Sequence, residues 1–79
     1  MKLWLVYQDE NNGYDTYDSM VVAAESEDDA RKTLPGTYEE WGREYSAWAS
    51  SPDKVSVKLI GEAAPGIEAG PICTSFNAG

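Results

Sequence analysis

The tightest constraint on this chain is its opening segment, Lys2-Leu3-Trp4-Leu5-Val6-Tyr7-Gln8, which is apolar on both faces of an extended strand. Side chains alternate across a strand, so Leu3, Leu5 and Tyr7 share one face while Trp4 and Val6 share the other. A strand with two apolar faces belongs inside a sheet, not at its edge. Asp9-Glu10-Asn11-Asn12-Gly13 then breaks the run, and Asn-Gly is the strongest short turn signal in the chain. Thr16 to Ala24 follows as a second strand, with Met20, Val22 and Ala24 alternating against Val21 and Ala23. Two strands joined by a short turn-rich loop predict an antiparallel hairpin.

Glu25 to Lys32 reads as a helix start. Ser26 is placed to cap it, and Asp29 completes an acidic capping box. Glu27, Asp28 and Asp29 lie at the positive end of the helix dipole, with Arg31 and Lys32 towards the negative end. Pro35-Gly36 should stop this helix after roughly two turns. Further on, Tyr38, Trp41, Tyr45 and Trp48 recur at helical spacing and predict one aromatic face, weakened by Gly42. That face serves either as core or as a binding surface. Lys54 to Ile60 alternates cleanly, with Val55, Val57 and Leu59 inward and Ser56 and Lys58 outward. Gly61 to Pro71 is rich in Gly, Pro and Ala and reads as an irregular connection before a last strand, Ile72 to Phe76. The expected architecture is a single α+β domain over residues 1–79: a mostly antiparallel sheet of about four strands, with one or two helices on one face.

Composition removes most chemistry. The chain has no His and one Cys, so Ser-His-Asp and Cys-His arrangements, internal disulfides and multi-thiolate metal sites are all excluded. Cys73 sits in an apolar run and is expected to be a buried structural thiol. The loop from Asp9 fails the calcium-loop pattern, with Gly13, Tyr14 and Met20 at positions five, six and twelve. No enzyme, cofactor or metal is expected. The opening apolar run is too short for a signal segment or a membrane span, which suits the cytoplasm. Fourteen acids against six bases give a net charge of −8, which disfavours nucleic-acid backbones and anionic membranes as partners.

The charge is unevenly placed. Residues 1–29 hold eight acids and one base, Lys2, and so carry −7 of the total. Such clustering serves either solubility or docking onto a basic surface. For docking, the candidate contacts are Asp15, Asp18, Glu27, Asp28 and Asp29, with Tyr14 and Tyr17 as aromatic anchors.

Three stretches carry a resemblance. They are Met1-Lys2-Leu3-Trp4-Leu5-Val6; the run from Gly13 through Val21-Val22-Ala23-Ala24 into Ser26-Glu27-Asp28-Asp29-Ala30-Arg31; and the tail from Ile60-Gly61-Glu62-Ala63 to Ser75-Phe76-Asn77-Ala78-Gly79. Together they resemble small proteins encoded by phages and prophages of bacteria, leaving Pro35 to Asp53 unmatched. Short acidic phage proteins are often inhibitors of host enzymes or defence complexes, anti-CRISPR proteins among them. The resemblance therefore implies an inhibitor in the bacterial cytoplasm that occupies a basic, nucleic-acid-bearing surface of a host protein or complex. The alternative is a small structural or assembly protein that self-associates, as a homodimer for instance, through the aromatic face.

Overall fold

The computed structural model describes residues 1–11, 13–36, 41 and 47–77. Its elements are β1 (Lys2–Gln8), β2 (Thr16–Ala24), α1 (Glu27–Arg31), a 3-10 turn (Pro52–Lys54), β3 (Val55–Glu62) and β4 (Gly70–Asn77). The four strands form one antiparallel sheet in the order β3-β1-β2-β4. The expected hairpin is present at the expected bounds, and the doubly apolar β1 is an interior strand as its pattern requires.

The core lies on one face of this sheet. Trp4 and Val6 pair with Val22 and Met20 across the hairpin, and all four are buried. Ala30 of α1, Trp48, Ala49 and Val55 complete the cluster, with Tyr17, Leu34, Trp41 and Val57 packed around it. The indole Nε1 of Trp4 donates to the Ala24 carbonyl at 3.1 Å, so this buried polar atom is satisfied. Helix α1 is held against the sheet by Ala30 and by Arg31, whose guanidinium donates to the Val55 carbonyl. Ser26 caps it as expected, its hydroxyl accepting from the Asp29 N–H at 3.2 Å.

Several expectations need correction. Helix α1 ends at Arg31, well before Pro35. Lys32 is the C-cap and its N–H still donates to the Asp28 carbonyl at 3.2 Å, but the Thr33 N–H turns to the Ala30 carbonyl, three residues back, and closes the last turn. Leu59 stands opposite Trp4 but is 52% exposed, since it lies on an edge strand beside the register shift between Leu3 and Trp4. Cys73 is exposed, not buried, because β4 forms the other edge and nearly all of it faces solvent. The expected aromatic helix falls largely outside the described residues, Tyr38 and Tyr45 among them. Its two described tryptophans belong to the core: Trp48 is 1% exposed, and Trp41 is half-buried in a turn against the cluster.

Candidate functional site

Register brings all four strands together at one end of the sheet, where Gln8 faces Val55 and Thr16 faces Asn77. The β1–β2 loop, 9–15, closes this end. Three sets of contacts fix its described residues. Inside, the buried Gln8 amide works in both senses. Its Oε1 accepts from the N–H groups of Glu10 (2.9 Å) and Asn11 (2.8 Å), while its Nε2 donates to the carbonyls of Asn11 (2.7 Å) and Tyr17 (2.8 Å). An amide has two donors and a two-lone-pair acceptor, so this side chain is fully used.

On the β4 side, the Gly13 carbonyl accepts from the Thr16 hydroxyl (2.7 Å) and the Asn77 amide (3.2 Å). The Asp15 N–H donates to the Asn77 carbonyl at 2.6 Å. On the third side lies the segment 47–50. The Tyr17 N–H donates to the Ala47 carbonyl, the Asn11 side-chain amide to the Trp48 carbonyl, and the Ser50 N–H and hydroxyl to the Glu10 carboxylate.

On this tied loop, Tyr14 is 77% exposed, the most exposed of the large apolar side chains among the described residues. Asp15 beside it has φ 58°, the left-handed region that L-residues avoid and Asp tolerates better than most. Asp18 is exposed at the register shift between Tyr17 and Ser19, where β2 carries an extra residue against β4. In sequence, no Lys or Arg occurs between Lys2 and Arg31.

The other candidates lie elsewhere. Tyr17 is half-buried against the core, its ring 4.8 Å from that of Phe76, and so acts as packing beneath the loop. Glu27, Asp28 and Asp29 are exposed on the first turn of α1, beyond the opposite end of β2. From there α1 turns back over the sheet, so that Arg31 reaches the Val55 carbonyl, and Val55 faces Gln8 at the loop end. The acids of α1 also have bases beside them. Lys32 Nζ sits 2.9 Å from Asp28 Oδ2, and that hydrogen bond and charge hold its ammonium above the usual lysine pKa. The acids of the first half thus sit on two elements, the β1–β2 loop and α1, and the loop end also has Arg31 and Lys54 at the start of β3.

Sequence reasoning did not single out Gln8, Thr16 or Asn77 as the residues that shape this end. Gln8 had a readable signal, because it shares a face with Trp4 and Val6 and is polar at a core position. Asn77 had none, since only the pairing of β4 with β2 brings it to Gly13. Near the same end, the Ser51 hydroxyl binds the Asp53 carboxylate and holds it below the usual carboxylate pKa. Among the described residues no cluster of acids or Cys could hold a metal, and no helix is long and apolar enough to cross a membrane. No family model, curated protein or solved structure matches this chain.

Proposed function

We propose that this chain acts by binding a protein partner through its β1–β2 loop, with Tyr14 as the anchor and Asp15 and Asp18 as its acidic neighbours. One observation carries the reading: a tyrosine ring three-quarters in water on a loop whose flanking backbone is already hydrogen-bonded. A pre-ordered loop loses little further entropy on binding, and Tyr is among the side chains that most often dominate interfaces. Charge names the partner's chemistry, a surface lined by Lys and Arg. Nucleic-acid channels of host complexes present such surfaces. The resemblance to small phage proteins supports inhibition of a bacterial defence complex as the biological setting, and no catalytic residue is needed for it.

The test is capture from bacterial extract by immobilised protein, at low and at physiological ionic strength. The expected partner is retained at low salt, weakened as salt rises, and lost with Tyr14→Ala or with Asp15→Lys/Asp18→Lys. Reversing Glu62 and Glu68 adds the same positive charge away from the loop and should leave capture intact. A partner held equally by all variants, or indifferent to salt, would sink the proposal.

A further inference from the structure

A residue's main chain has two soft dihedrals, so its direction is set by the two peptide planes that flank it. For Tyr14 those planes carry the Gly13 carbonyl on one side and the Asp15 N–H on the other. Both groups are bonded to one residue at the far end of the chain. Asn77, the last residue of β4, gives its side-chain amide to the Gly13 carbonyl at 3.2 Å, and its own carbonyl accepts from the Asp15 N–H at 2.6 Å. The Thr16 hydroxyl adds a second bond to the Gly13 carbonyl at 2.7 Å. Asn77 is itself set in register against Thr16, and next to it the Phe76 ring lies 4.8 Å from that of Tyr17. Asp15, at φ 58°, holds a conformation that persists only where its surroundings impose it, and the Asn77 carbonyl is one such hold.

We propose that Asn77 is a positioning residue for Tyr14: it holds the peptide planes on either side of the anchor, so the loop keeps its docking pose only while the end of β4 is paired with β2. This role rests on the loop being the docking surface. With both planes held, Tyr14 has only its two side-chain torsions left to settle when a partner arrives. Docking at Tyr14 and closure of the end of β4 are thereby linked, each favouring the other. The bond from the Asn77 carbonyl is open to any residue at this position, whereas the bond to Gly13 needs a short side chain with a donor, which Asn supplies. Asn77 is exposed, so its side chain can be changed without opening the core.

Amide exchange and backbone NMR of the free chain test the hold, and thermal melts confirm that each variant folds. Wild type should show at Asp15 the short amide-to-Hα distance of a left-handed residue. Asn77→Ala keeps the main-chain carbonyl and loses only the bond to Gly13, so Asp15 exchange should quicken about fivefold, the worth of one net hydrogen bond. Asn77→Asp, which sets a carboxylate against the Gly13 carbonyl, should quicken it more and weaken the left-handed signature. It also decides if Asn77→Ala does not fold. Ser75→Ala, on the same exposed strand, should change neither. For docking, the probe is the bacterial-extract fraction that wild type retains and Tyr14→Ala loses. Added charge alone would tighten the grip of Asn77→Asp on a basic surface, whereas a lost pose should weaken it roughly threefold. Unchanged Asp15 exchange in both Asn77 variants, an equal change in Ser75→Ala, or undiminished capture by Asn77→Asp would overturn the proposal. An extract with no Tyr14-dependent fraction overturns the loop as a docking surface instead, and exchange alone then decides the hold.

Discussion

Replacing Gln8 by Met tests whether one side chain shapes the loop end. Met keeps the length and apolar stem but removes all four hydrogen bonds, at 2.7, 2.8, 2.8 and 2.9 Å. At about 1 kcal/mol net per bond the gross loss is about 4 kcal/mol. Partial rehydration of the Glu10 and Asn11 amides and the greater hydrophobicity of Met return about 1–2 kcal/mol of this. The expected cost is therefore about 2–3 kcal/mol, a large share of the roughly 4–12 kcal/mol typical of a domain this size. It corresponds to a melting temperature lower by about 10–20 °C. Urea unfolding followed by the fluorescence of the buried Trp4 and Trp48 measures it, with the denaturant slope unchanged. Amide exchange should speed up at Asn11 and Asp15 before the rest of the hairpin opens. Gln8→Glu keeps the acceptors but loses both donations and buries a charge. Its folded pKa is raised, so its stability relative to wild type should recover as pH falls through that pKa and decline as pH rises. A Gln8→Met loss below about 1 kcal/mol, with unchanged loop exchange, would refute the reasoning.

Asp15→Gly removes the left-handed strain at φ 58° and should stabilise the fold by about 0.5–1 kcal/mol, read by thermal melting; a fall in stability would show that the side chain, not the backbone, matters there. Ser26→Ala removes the cap of α1 and should cost about 1 kcal/mol in denaturant unfolding, and no measurable change would deny the cap a role. Ser51→Ala should raise the Asp53 pKa towards the ordinary carboxylate value in an NMR titration. Because the folded pKa is depressed, the Ser51 contact stabilises above the unfolded carboxylate pKa and is lost as pH falls through the folded value. Wild type and Ser51→Ala should therefore converge in stability at low pH, and an unshifted Asp53 titration would contradict this account.

Local pattern made the hairpin legible: β1 and β2 were bounded by alternation and by Asn-Gly, and Ser26 by its position before three acids. What escaped was set by neighbours distant in sequence. The alternation of Val55, Val57 and Leu59 was sound, but no periodicity says that β3 is an edge strand, which leaves Leu59 half in water. The same ignorance of strand order made Cys73 look buried. At the loop end, Tyr14 and Asp15 were visible as residue types in a turn. The return of α1 over the sheet, which brings Arg31 to the Val55 carbonyl at that end, was not, because counting charge along the chain ignores where the helix docks.

The order β3-β1-β2-β4 also gives the molecule a history during synthesis. Strand β2 finds its first neighbour, β1, within the opening residues, but its second only once the chain has been made through Asn77. At ribosomal speed that wait after Ala24 lasts roughly 3–10 s. Throughout it, the apolar run Met20-Val21-Val22-Ala23 borders an open edge, the kind of segment from which nascent chains aggregate. Asp18, just upstream in β2, sets a charge beside that run. A carboxylate flanking an apolar strand is placed where gatekeeper residues stand, ahead of any folded surface.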